Sequence, residues 1–139
     1  ALLLALSLPF SDRLAVSDGQ SAVRHAYETF SEARLADLRS QGVAVFVDLT
    51  ADWCITCLAN EKSTLHTDEV QQAFRDAGIV YMVGDWTRYN PEITALLGRY
   101  QRSGIPLYLL YPAEADAPAL ILPQLLSKRI VLDAIDYIK

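Results

Sequence analysis

Residues 43–57 read Val43-Ala44-Val45-Phe46-Val47-Asp48-Leu49-Thr50-Ala51-Asp52-Trp53-Cys54-Ile55-Thr56-Cys57. Val43 to Leu49 is a near-continuous β-branched and aromatic run, the composition of a central strand buried on both faces. Thr50 to Trp53 follow, and then two cysteines separated by two residues open a helix predicted to run through Lys62. Two thiols at that spacing lie close enough for a disulfide without distorting the turn. Cys54 points its sulfur at unpaired backbone N–H groups and the positive end of the helix dipole, which favours thiolate. Cys57 sits one turn in and more buried, placed to resolve a mixed disulfide formed by Cys54. A buried strand leading into Cys-X-X-Cys in a βαβ setting reads as a dithiol redox motif. Two plainer readings stand beside it: half of a zinc site, or two incidental core cysteines. Zinc needs two further ligands, and the only histidines, His25 and His66, have no useful spacing.

Outward from this stretch the chain alternates strands and helices. Ser31 caps a short helix with Leu35 and Leu38 inward, ended by Gly42. Thr67 before Asp68 and Glu69 starts another, with Val70, Ala73, Phe74 and Ala77 at helical spacing and Gly78 as the stop. Ile79 to Val83 is a second buried strand. Asn90-Pro91-Glu92 opens a helix whose inward face is Ile93, Leu96, Leu97 and Tyr100. Pro106 to Tyr111 is a third strand, and Ala119 to Leu122 is its antiparallel hairpin partner across the 112–118 loop. Ser127 starts a last helix with Val131, Ala134, Ile135 and Ile138 inward. The order (β)αβα–αβα–ββα predicts an α/β fold, a central mixed β-sheet flanked by helices on both faces.

The chain has 139 residues, 52% hydrophobic and 21% charged, enough for one domain with a real core and too apolar for wholesale disorder. Twelve Lys+Arg against seventeen Asp+Glu give a net charge of −5. With no basic run, it has no electrostatic footprint for nucleic acid or an anionic membrane surface. Two cysteines do not make the multi-bridge framework of a small secreted scaffold. Residues 1–10 (ALLLALSLPF) form the one strongly apolar run, too short to span a bilayer alone. It is either an element packed on the core or the end of a preceding transmembrane helix. Residues 11–26 read as a linker or arm, and residues 27–139 as the folded domain.

The stretch from Val45 to Cys57, followed by Asn60-Glu61, resembles the thioredoxin superfamily. More narrowly it resembles the C-terminal periplasmic domain of the DsbD-type thiol:disulfide interchange proteins, including their ScsB-like relatives. Asp85-Trp86-Thr87, Ser103-Gly104-Ile105-Pro106-Leu107-Tyr108 and Leu122-Pro123-Gln124-Leu125-Leu126 support the narrower match. Leu58 departs from it, standing where a basic residue is expected. The resemblance implies a thioredoxin-like fold and an enzyme: a protein-disulfide reductase domain on the periplasmic side of the bacterial inner membrane. It would relay electrons from a membrane-embedded domain to other domains of the same membrane reductase or to periplasmic thiol proteins. Contact with the membrane would come only through a preceding transmembrane domain. The redox group is the Cys54–Cys57 disulfide itself, with no cofactor and no metal.

The resemblance also assigns supporting residues. Asp48 and Glu61 become a carboxylate pair beneath the thiols that holds protons and disfavours thiolate. The plain alternatives are a strand-end acid reaching solvent and a solvated helix face. Ile105–Pro106 becomes a cis peptide that docks partner backbone, against a trans proline at an edge strand. Trp53 is a core aromatic, a lid beside the sulfur, or both, while Trp86, Tyr89 and Tyr108 read as packing residues. Two further functions stay open: a freestanding thioredoxin-like reductase or oxidase, and an interaction module with Cys54–Cys57 as a structural clip.

Overall fold

The computed structural model describes residues 26–139. The readings for residues 1–10, and for 11–26 up to residue 25, lie outside the described residues. Five strands form one sheet: β1 (Glu28–Thr29), β2 (Val45–Thr50), β3 (Val80–Asp85), β4 (Leu107–Tyr111) and β5 (Leu120–Leu122). Their spatial order is β1-β3-β2-β4-β5. The first three run parallel, β4 is antiparallel to β2, and β5 is antiparallel to β4. The sheet is mixed, and β2 is its middle strand.

Because side chains alternate along β2, its two faces feed two separate cores. Val45, Val47 and Leu49 meet Leu35 and Leu38 of α1 (Glu32–Ser40) and Ile93, Leu96 and Leu97 of α4 (Pro91–Arg99). Phe46 faces the other way, toward Val70 and Phe74 of α3 (Asp68–Asp76) and Val131 and Ile135 of α5 (Lys128–Tyr137). Phe46 lies 5.1 Å from Phe74, 6.1 Å from Tyr81 and 6.2 Å from Tyr108, ring centre to ring centre. All six residues of β2 are buried. Helices on both faces follow, as the element order predicts.

The helix starts are built as the sequence suggests. Ser31, Thr67, Asn90 and Ser127 each accept a backbone N–H from the first turn that follows. Gly42 and Gly78 take positive φ of 73° and 67° just past α1 and α3, where a side chain would be strained. One expectation changes. The helix after the cysteines is not a uniform α-helix through Lys62: α2 (Ile55–Asn60) ends at Asn60, and Glu61–Leu65 forms a π turn. Within it the His66 N–H reaches back five residues to the Glu61 carbonyl, at 2.8 Å. The extra residue per turn rotates the following side chains and brings His66 back toward the sheet.

Gly84 on β3 marks a close approach between the layers. A Cβ there would lie 2.6 Å from Leu49 Cδ2 and 3.3 Å from both Phe30 Cβ and Ile93 Cδ1. Leu49 and Ile93 are themselves buried, so neither can retreat into solvent. Gly84→Ala is therefore expected to destabilise the fold by about 1–3 kcal/mol, read as a lower urea midpoint. An unchanged midpoint would show that this contact is slack.

Candidate active site

Cys54 is the N-cap of α2 (Ile55–Asn60) and is joined to Cys57 by a disulfide, with Cα atoms 5.2 Å apart. The Cys57 N–H points at Cys54 Sγ from 3.2 Å, so the sulfur nearer the surface has a fixed backbone donor. Cys54 keeps 8% of its surface and Cys57 none. The two sulfurs are thus unequal in access; both cysteines cluster with Ala51, and Ile105 packs against this cluster. The Ile105–Pro106 peptide is cis, and Ile105 packs against the cysteine cluster.

The loop before the pair is braced from β3. Thr87 Oγ1 accepts the Asp52 N–H at 2.9 Å, and the Thr87 carbonyl accepts Trp53 Nε1–H at 3.2 Å. Asp85 in turn accepts the Thr87 N–H at 2.8 Å. Trp53 leaves 58% of its surface exposed, with its ring centre 6.3 Å from that of Trp86. It is not a core aromatic; it is a partly open ring flanking the disulfide. Trp86 does pack on the core, through its contact with the α1–α4 side. Tyr89 does not: it is 78% exposed, because it precedes the Asn90 cap on an open turn.

Asp48 lies in the middle of β2 with no exposed surface, which excludes a strand-end acid reaching solvent. It shares a face with Phe46 and Thr50, the face covered by α2 and the π turn. Tyr81 of β3 donates its hydroxyl to Asp48 Oδ2 at 2.5 Å, whereas Oδ1 has no partner among the described residues. Burial pushes the Asp48 carboxyl up to about 7; the Tyr81 hydrogen bond opposes this and the nearby Glu61 adds to it. Glu61 is half-buried and accepts the Thr50 hydroxyl at 2.7 Å, so it is not a freely solvated helix face. Burial, followed by the Asp48 charge, drives the Tyr81 and Tyr108 phenols well above their ordinary range, so both stay neutral hydroxyls.

Asn60 and the tyrosines complete a polar layer that sequence reasoning largely missed. Asn60 Nδ2 donates to the Tyr108 hydroxyl at 2.9 Å and to the Gln124 carbonyl at 2.7 Å, and its Oδ1 accepts the Leu126 N–H at 3.0 Å. Tyr108 is both a packing residue and a member of this layer. Tyr81 and His66 had no assigned role, yet Tyr81 touches Asp48 directly and His66 Nε2 lies 3.4 Å from the same hydroxyl. A signal for Tyr81 did exist. A phenol in a strand buried on both faces needs a hydrogen-bond partner, and the neighbouring strand offers one buried acid.

A cleft of about 360 Å³ opens beside this layer, lined by Thr50, Asp52, Leu58, Glu61, His66 and Asp85 among others. Among the described residues no Lys or Arg lines it, and Leu58 contributes an apolar wall where the resemblance called for a cation. Among the described residues no group of three or more His, Cys, Asp or Glu side chains is arranged to hold a metal ion. Among the same residues no helix is long and apolar enough to cross a membrane.

A surface-edge thiol, a buried partner thiol and a buried acid on a mixed five-stranded sheet define the dithiol/disulfide class of thioredoxin folds. The comparisons with known proteins agree: a thioredoxin-like family profile matches residues 26–113, and the chain belongs to that family. It is 40% identical over 78 residues to the thiol:disulfide interchange protein DsbD of Klebsiella pneumoniae, covering 56% of this chain and 13% of that protein. Against the DsbD of Salmonella paratyphi A it is 33% identical over 123 residues, 83% of this chain and 21% of that protein. The chain therefore spans about a fifth or less of the length of these relatives. Among solved structures, the oxidised C-terminal domain of Neisseria meningitidis DsbD superposes with a TM-score of 0.62 at 23% identity, covering 82% of this chain and all of that one. A thioredoxin from Thermus thermophilus gives 0.65 at 19% identity, over 81% and 87% of the two chains. These likenesses fix the fold.

Folded Asp48 keeps its proton up to about pH 7, against an ordinary value of 3.8. The stability this lends is complete below pH 3.8 and is lost as pH rises through 7. Relative to Asp48→Asn, the wild-type protein is expected to lose up to about 4 kcal/mol between pH 4 and pH 8. Urea unfolding of both oxidised proteins across that range measures it. A pH-independent difference would contradict a buried, titrating carboxyl.

Proposed function

We propose that this chain is the thiol:disulfide exchange domain of a membrane reductase. In this reading residues 27–139 form the exchange unit, on the periplasmic side of the bacterial inner membrane. It receives electrons from a membrane-embedded domain and passes them to other domains of the same reductase or to periplasmic thiol proteins. The observation that carries the exchange chemistry is the Cys54–Cys57 disulfide at the start of α2, its two sulfurs unequal in access. The likeness to the DsbD proteins of K. pneumoniae and S. paratyphi A supports the relay and its location.

In the reduced domain, Cys54 thiolate attacks a partner disulfide, aided by its position at the helix start and the Cys57 N–H. One partner sulfur leaves, and Cys54 is joined to the other. Cys57 then gives up its proton and attacks Cys54 Sγ, forming the internal disulfide and expelling the second partner sulfur as thiolate. The chain loses two electrons and the partner disulfide gains them. The electrons travel with the sulfur–sulfur bond, so the chemistry asks for no bound cofactor. Ile105 and Pro106 border the sulfurs and would dock the partner's backbone, with the exposed Trp53 and Ile55 offering apolar contact on the other side. Asp48 and Glu61 would hold protons beneath the pair.

Trapping tests this assignment. Cys57→Ala, expressed in the native compartment, should accumulate mixed disulfides with partner proteins, and Cys54→Ala should not. Equal trapping by both variants would overturn the division of roles. No trapping by either would leave the disulfide as a structural clip.

A further inference from the structure

Trp53 precedes Cys54 and leaves 58% of its surface open. An exposed ring on a loop ordinarily samples several rotamers, and a partner that binds it must remove that freedom. Here the ring is held by the turn that follows β3. Asp85 closes this turn: its Oδ1 accepts the Thr87 N–H at 2.8 Å and the Thr87 hydroxyl hydrogen as well. With its hydrogen committed to Asp85, the Thr87 hydroxyl keeps its lone pairs for the Asp52 N–H, 2.9 Å away. The Thr87 carbonyl takes Trp53 Nε1–H at 3.2 Å. Thr87 thus commits its N–H, its hydroxyl and its carbonyl to a single junction.

The turn is itself anchored at two places. The Trp86 N–H donates to the Thr50 carbonyl of β2 at 2.7 Å, and its indole N–H donates to Thr94 Oγ1 of α4 at 3.2 Å. Trp86 packs on the α1–α4 core, and its ring centre lies 6.3 Å from that of Trp53. Trp53 is therefore fixed at its indole N–H and flanked by a second ring, while more than half of it faces outward. Asp85 is exposed and Thr87 half-buried, so water could replace most of these bonds and their net contribution to stability is small. What they supply is orientation. Cys54 has supports of its own: its N–H donates to the Ala51 carbonyl at 3.1 Å, and its Sγ receives the Cys57 N–H. The clamp bears on the ring and leaves the sulfur to those other contacts.

We propose that Thr87 is a positioning residue that presents Trp53 in its docking orientation. It thereby selects polypeptide disulfides with an apolar side chain beside the cysteine over small disulfides. The proposal rests on the exchange reading above. A polypeptide whose cysteine reaches Cys54 brings its neighbouring residues onto the Trp53 ring. With the ring already set, less side-chain freedom is lost on association. A small disulfide has no flank to lay on the ring and gains nothing. The effect belongs to binding, so it falls on the half-saturating concentration and not on the limiting rate of sulfur exchange.

Two probes with the same reacting bond test this. One is a short peptide with leucine on both sides of its cysteine, that cysteine joined to thionitrobenzoate. The other is free cysteine carrying the same group. Attack by Cys54 on the peptide or cysteine sulfur expels thionitrobenzoate, the better leaving thiolate, whose colour is followed in stopped flow with the reduced full chain. Thr87→Val keeps the side-chain shape and removes the hydroxyl. It should raise the half-saturating peptide concentration about five-fold, with the limiting rate and the free-cysteine reaction unchanged. Thr87→Ser, which restores the hydroxyl, should behave as wild type. In a Trp53→Ala background Thr87→Val should have no further effect, because the ring through which it acts is gone. An unchanged half-saturating concentration, an equal loss with free cysteine, or a loss that persists without Trp53 would each overturn the proposal. So would a wild type that handles both probes alike. A wild type that expels thionitrobenzoate from neither probe would instead overturn the exchange assignment.

Discussion

Asp48 sits at full burial in the middle strand of the sheet, and the polar architecture of this protein is organised around satisfying that one carboxyl. An isolated ionised carboxylate in such a place is so unfavourable that the group takes up a proton or finds donors. Here it does some of each. Tyr81 supplies one hydrogen bond, and the carboxyl titrates near neutrality. Around it, Tyr108 is tied to Asn60 and Thr50 to Glu61, so α2 and the π turn are fastened to the sheet by hydrogen bonds as well as by packing. The disulfide is placed by the same fastening, because Cys57, Asn60 and Glu61 follow one another at helical spacing along the inward side.

Each segment that carried the family resemblance has a physical task at this site. Asp85 and Thr87 brace the loop before the cysteines, and Trp86 lies beside Trp53. Gln124 and Leu126 clamp Asn60, and Ile105 packs on the cluster that holds the cysteines. Sequence reading could see these segments because turns, caps and the cysteine spacing are local. The strands, their burial and the helix caps were legible for the same reason: hydrophobic period and capping chemistry act over a few residues. The positions of Tyr81 and His66 were not. They depend on strand register, which sets Tyr81 opposite Phe46 and one pleat from Asp48, and on a π turn that no local signal announces. Tyr89 is exposed rather than packed, and Trp53 fits only the second of its two readings, because an aromatic beside a loop has no periodic partner to tell its face.

The electrostatics around the thiols oppose one another. The helix start and the Cys57 N–H draw Cys54 toward thiolate. In the proposed exchange role, Asp48, Glu61 and the acidic side chains of the cleft would push against it, and Leu58 supplies no cation to offset them. A domain that passes electrons between partners gains from this balance. In that role its thiol would stay protonated toward stray disulfides, yet its thiolate would be a strong nucleophile once formed, since nucleophilicity rises with thiol pKa.

That balance can be read directly from the ionisation of Cys54. Following it spectroscopically against pH, in the reduced wild type and in Asp48→Asn, compares the same thiol with and without the buried charge. The groups titrate as a coupled set, so the quantity compared is the apparent thiol midpoint. With the carboxylate removed, the midpoint should fall. An unchanged or higher midpoint would mean that Asp48 does not act on the thiols, leaving it a structural acid.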